Sequence, residues 1–148
     1  MLNQHMNIVA LDIGDVHTGI ARCDALGMFA TPYKTIPSKE LLAWLVEFFT
    51  VHGDVPYTFV IGYPRTMRNT ASEQTNKITA LHQQLIARFP QTQWVLWDER
   101  LTSKEAKKIA SKNIRLDKNY EHAVSAAIIL QAYLEHVRFK QQHIDKTG

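Results

Sequence analysis

Two groups of acids in this chain stand where chemistry is possible. Asp12 lies inside the apolar run Ile8-Val9-Ala10-Leu11-Asp12-Ile13, followed closely by Gly14 and Gly19. A carboxylate in such a run is costly to bury unless a cation or several hydrogen-bond donors meet it. The two glycines leave room for a backbone, a phosphate or a metal to approach. The second group, Asp98-Glu99-Arg100, follows the apolar run that ends at Trp97. Carboxylates from separate strands repel one another unless cations intervene. Hard divalent ions such as Mg²⁺ or Mn²⁺ accept oxygen ligands and keep positions open for phosphate oxygens. Two such ions about 4 Å apart can activate water and stabilise the leaving oxygen of a phosphodiester. Asp12 and Glu99 are therefore the candidate ligands, with Asp98 as a substitute for Glu99. Arg100 can pair with a phosphate or lock the two acids in place. The competing reading makes Asp12 a turn cap at a strand end and Asp98-Glu99-Arg100 a solvated charge cluster.

Cations gather beside the second group. Seven basic residues and two acids lie between Arg100 and Lys118, a local excess larger than the +3 of the whole chain. Lys104, Lys107, Lys108 and Lys112 fall along one side of a helix. Such a stripe just after the acidic triplet suits phosphates better than solubility, although a solvated face would share the pattern. Arg65 and Arg68 add two cations in a polar loop expected at the same edge.

The elements that must position these residues are legible from periodicity. Strands are expected at 8–13, 18–24 and 28–36, joined around an Ala25-Leu26-Gly27 turn into an antiparallel meander. Ser38 is the expected N-cap of a helix reaching 51, with Leu41, Leu42, Leu45, Phe48 and Phe49 on its apolar face. A buried strand at 57–62 precedes the 63–69 loop, and a helix bearing Ile78, Leu81, Leu85, Ile86 and Phe89 leads to a strand at 93–97. Thr102 and Glu105 match a capping box opening the basic helix, which fades near Ser111. After a 113–119 loop, a long helix is expected over 120–140, with the last eight residues frayed. Strands separated by helices imply parallel pairing and a three-layer α/β domain, in which ligands collect at the carboxyl ends of the strands. Asp12–Gly14, Gly62-Tyr63-Pro64 and Asp98-Glu99-Arg100 would then arrive at one edge.

Bulk properties agree. A chain of 148 residues with 45% hydrophobic content suits one globular domain spanning 1–148. The lone Cys23 rules out an intramolecular disulfide and suits a reducing cytoplasm. No apolar run approaches the roughly 18 residues of a membrane span, and the first residues lack the pattern of a secretory leader.

Taken together, the pieces resemble the YqgF/RuvX family. Asp12-Ile13-Gly14 through Gly19 resembles the opening D-x-G-x-K-R-x-G motif, Val60-Ile61-Gly62-Tyr63-Pro64 resembles V-G-L-P, and Asp98-Glu99-Arg100-Leu101-Thr102 resembles D-E-R-x-T. The stretch 125–134 resembles the family's closing helix. The resemblance covers nearly the whole chain and implies an RNase H-like fold, a five-stranded mixed sheet flanked by helices. It also implies a cytoplasmic, Mg²⁺- or Mn²⁺-dependent endonuclease. The family's association with 5′-end maturation of pre-16S rRNA makes structured RNA the expected partner. Its kinship with RuvC makes branched DNA the alternative, with a catalytically silent nucleic-acid binder as a further one. An actin-like ATPase also begins with Asp-x-Gly after a strand, but it needs two such domains. The chain is expected to be a monomer or weak homodimer with no membrane partner. Two departures stand out. Val16-His17 occupies the place of the Lys-Arg pair, and His122, beside Glu121, occupies the place of the closing helix's acid. The resemblance thus makes His122 a catalytic and metal-ligand candidate, since imidazole accepts Mn²⁺ but brings no negative charge.

Overall fold

The computed structural model describes residues 6–63, 73–111 and 120–147. Five strands form one mixed sheet: β1 Ile8–Ile13, β2 His17–Cys23, β3 Ala30–Pro37, β4 Thr58–Tyr63 and β5 Gln93–Asp98. Their order across the sheet is β3-β2-β1-β4-β5. β1, β2 and β3 pair antiparallel, while β4 and β5 extend the sheet parallel to β1. Among the described residues, four α-helices flank the sheet, α1 Leu41–His52, α2 Glu73–Arg88, α3 Lys104–Ser111 and α4 Glu121–Thr147. This is the expected three-layer architecture.

The two-residue period of a strand sorts β1 between two cores. Ile8 and Ala10 join Ala21, Val60 and Trp97 beneath α3 and α4. Val9 and Leu11 join Ile20, Phe59, Ile61 and Trp94 beneath α1 and α2. Asp12 keeps the parity of Ala10 and so lies on the α4 side.

Local chemistry moves several boundaries. β3 starts at Ala30 rather than at 28 because one Asp24 carboxylate oxygen accepts the Met28 and Phe29 N–H groups, at 2.8 and 2.9 Å. Ser38 does not cap the following helix. It enters a short 3₁₀ turn, and its hydroxyl donates to the Gly14 carbonyl at 2.7 Å while meeting the Thr18 hydroxyl at 2.8 Å. The side chain that would have capped α1 instead fixes the β1–β2 turn. Thr102 and Glu105 do not form the capping box either. A 3₁₀ turn over Glu99–Leu101 takes Thr102 as its C-cap, so the cap of α3 slips to Ser103, whose hydroxyl accepts the Ala106 N–H at 3.0 Å. α4 continues to Thr147 where fraying was expected after 140. No Gly or Pro interrupts 121–147, so nothing local stops the helix. The 113–119 loop, together with Arg65, Arg68 and Lys112, lies outside the described residues.

α4 is held down at its middle. Buried Gln131 accepts the Ala30 N–H at 2.9 Å and donates to the Met28 carbonyl at 3.2 Å. Among the described residues, no helix is long and apolar enough to cross a membrane.

Candidate active site

Because β1, β4 and β5 are parallel, their carboxyl ends meet at one edge of the sheet. Leu11 pairs with Ile61 and Ile61 with Leu96, so the chain beyond these residues delivers Asp12, Gly62 and Asp98-Glu99 side by side. Parity then separates the two acids after β5. Asp98 has the parity of Trp94 and Leu96, which pack towards α1 and α2. Glu99 swings to the α4 side, where its carboxylate lies over Gly62: a Cβ added there would stand 2.8 Å from Glu99 Oε1 and 2.5 Å from Ile129 Cδ1.

Burial and neighbouring charge act on both Asp12 and Glu99. Burial pushes the Asp12 carboxyl above its ordinary value, with the His122 imidazole pulling the other way. Burial likewise raises Glu99, and the charges of Asp12 and Asp98 raise it further. Asp98 is committed elsewhere. It accepts the Arg100 backbone N–H at 2.9 Å, Nε at 3.0 Å and Nη2 at 2.7 Å. Both its oxygens are engaged by Arg100 and its parity turns it to the other layer, so Glu99 rather than Asp98 lies beside Asp12. Of the two roles open to Arg100, this locks one acid and leaves the guanidinium exposed at the edge.

His122, in the first turn of α4, reaches the same place but does not close a ligand cage. Its ring stacks on His17, with centroids 5.1 Å apart and planes 24° off parallel. Among the described residues, no three His, Cys, Asp or Glu side chains are grouped to hold a metal ion. The expected Asp12–Glu99–His122 set is thus present as two carboxylates and a neighbouring imidazole. Two carboxylates raised by burial still fit a hard divalent ion, which commonly takes one or two of them and completes its shell with water and substrate phosphate.

Two glycines make this geometry possible. Gly19 pairs with Asp12, and a Cβ there would overlap the His122 carbonyl and stand 2.8 Å from the Ala123 nitrogen. The room it leaves admits the α4 backbone rather than a ligand. Gly62 does the same for the Glu99 carboxylate; its closeness to the site could be sensed only from its place at a strand end. His17 stands in the place of the family's Lys-Arg pair, and its position as the stacking partner of His122 has no signal in the sequence. Lys104, Lys107 and Lys108 are exposed on α3 immediately beyond the triplet.

Comparison with known proteins places these features in context. Residues 6–136 match a family model described as "RuvX: Holliday junction resolvase". A protein of Parabacteroides distasonis named "Putative pre-16S rRNA nuclease" is 35% identical over 90% of this chain and 97% of its own length. One of Bacteroides thetaiotaomicron with the same name is 37% identical over 89% of this chain and 98% of its own. Among solved structures, Thermus thermophilus RuvC in complex with a Holliday junction substrate has a TM-score of 0.61 at 15% identity, covering 91% of this chain and 96% of that one. A second T. thermophilus RuvC structure has a TM-score of 0.59 at 14% identity, covering 90% and 96%. The sheet order, the acids at its carboxyl edge and a match along almost the whole length agree, and the chain belongs to the RuvX family.

Proposed function

We propose that this chain is a metal-dependent endonuclease that hydrolyses phosphodiester bonds in structured RNA, with the 16S rRNA precursor as substrate. The observation that carries this reading is the meeting of Asp12, on β1, and Glu99, just past the end of β5, at the one edge where both are raised by burial. Such a pair is costly to ionise unaided, and a divalent cation would remove that cost. A bound Mg²⁺ or Mn²⁺ would supply a polarised water and charge stabilisation at the scissile phosphate. Asp12 and Glu99 would hold it, and His122 is the candidate third donor. Asp98 keeps Arg100 at the strand edge, where a phosphate can share its guanidinium. Lys104, Lys107 and Lys108 bind the backbone beyond the cut, and we assign Arg65 and Arg68 to the same task. The names of the relatives above support RNA as the substrate. The description of the family model favours branched DNA as the second reading.

The test is cleavage of a structured precursor RNA and a four-way DNA junction side by side, with Mg²⁺, with Mn²⁺ and with neither. Metal-dependent cutting of the RNA is expected. Cutting of the junction alone would overturn the RNA assignment, and no cutting under any condition would overturn the nuclease reading.

A further inference from the structure

A second feature lies away from the acids, at the outer edge of the sheet. β3 is an edge strand, and its register with β2 shifts between Ile20 and Ala21: Ala21 pairs with Pro32 and Ile20 with Lys34. Tyr33 is therefore the extra residue of a β-bulge. A bulge on an edge strand blocks pairing with another sheet and re-aims the side chain it carries. Tyr33 is 40% exposed, and the Arg22 guanidinium lies over its ring at 4.1 Å, with the Lys34 ammonium 5.7 Å away. Among the described residues, neither cation is in an ion pair.

Tyr33 and Arg22 line a cavity of about 370 Å³ shared with Tyr57, within the range of small-ligand pockets. One acid, Asp24, also reaches it, but an oxygen of that carboxylate is held by the Met28 and Phe29 N–H groups. The cavity thus offers two phenol rings and an unpaired guanidinium. Aromatic and guanidinium planes accept the face of any nucleobase, and arginine adds a bidentate grip on phosphate. Arg22 pairs with Val9, three residues along β1 from Asp12 and on the opposite face of the sheet. At about 3.3 Å per residue the two sites are some 10 Å apart along the strand.

We propose that Arg22, Tyr33 and Tyr57 form a second nucleic-acid subsite that takes an unpaired nucleotide, with the base on a tyrosine ring and the phosphate on Arg22. The subsite takes its ligand class from the nucleic-acid reading above and adds a strand-holding site outside the acidic edge. A single-stranded extension of a structured substrate would pass around the β3 edge and be held there.

The test needs no turnover. A labelled single-stranded oligouridine is titrated into the full chain without divalent metal, for wild type, Tyr33→Ala, Tyr33→Phe and Arg22→Ala. Loss of one stacked base lowers affinity by about fivefold or more, so Tyr33→Ala and Arg22→Ala are expected to bind weakly. Tyr33→Phe keeps the ring and is expected to bind as wild type. Photocross-links from a thiouridine-bearing strand should map to peptides carrying Tyr33 or Tyr57. Equal affinity of Tyr33→Ala and wild type, no binding by wild type, or cross-links confined to α3 would overturn the subsite. Failure of the cleavage assay with intact Tyr33-dependent binding would overturn only the nuclease reading.

Discussion

Gly62→Ala separates the work of the site from the stability of the fold. The added methyl would stand 2.5 Å from Ile129 Cδ1 and 2.8 Å from Glu99 Oε1. Both are ends of side chains, so the backbone can stay in place and the clash is relieved by rotation. Overpacking of this kind costs about 1–3 kcal/mol. The functional cost is larger. To reach an ordinary contact of 3.4 Å, the Glu99 carboxylate must retreat by about 0.6 Å. Misplacement by about 1 Å costs roughly a hundredfold in rate, so a loss of about tenfold or more in kcat is expected. Ile129→Val, introduced together with Gly62→Ala, deletes the clashing Cδ1 and exchanges one methyl for another in the same space. The double variant should recover stability in urea unfolding yet still cleave slowly. A double variant as active as wild type would refute the placement of Glu99 in the site.

Four further outcomes follow from the same geometry. Asp12→Asn should abolish hydrolysis and leave the fold intact. Because burial raises Asp12 and Glu99 in the folded chain, the folded state binds more protons than the unfolded one. Metal-free stability should therefore fall as pH rises from about 4 through the raised values, and Asp12→Asn should flatten that fall; a wild-type slope in the variant would remove Asp12 from the buried pair. Replacing Lys104, Lys107 and Lys108 together with Ala should weaken nucleic-acid binding whatever the sequence and lower the salt slope by roughly 2–3; an unchanged slope would make the stripe a solvated face. His122→Asp should raise Mg²⁺-supported cleavage relative to Mn²⁺, and identical metal preference in the two proteins would take His122 out of the ligand set. Gln131→Leu leaves a buried Ala30 N–H unpaired and should cost about 1–3 kcal/mol in thermal or urea unfolding, with wild-type stability counting against that tether.

Much of this arrangement is legible in the sequence because it depends on period and order. The alternation around Asp12 and the strand–helix spacing bring the three polar clusters to one edge with no knowledge of side-chain contacts. What depends on competition between neighbours is not legible. Ser38 is a good cap in isolation, but the Gly14 carbonyl and Thr18, which occupy the turn it closes, claim it first. Thr102 loses its capping role to the 3₁₀ turn that follows β5, which moves the cap one residue on to Ser103. Asp98 and Glu99 look equivalent as letters; only the pleat of β5 and the reach of Arg100 decide which one faces Asp12. Gly19 shows best the limit of local reading, since its partner lies about a hundred residues away in the chain.

That contact between Gly19 and the start of α4 also sets when the site comes into being. The ribosome delivers β1 with Asp12 early, but the helix that covers this face of the sheet is made after all five strands. Until α4 docks on β1, β2, β3 and β4, Ala10, Ala21 and Val60 lack the α4 side chains that bury them and His122 is not beside Asp12. The acids can be exposed on a nascent chain without being organised. Synthesis of α4 and completion of the site are therefore coupled, and a fragment ending before α4 would carry Asp12 and Glu99 without the surface that holds them together.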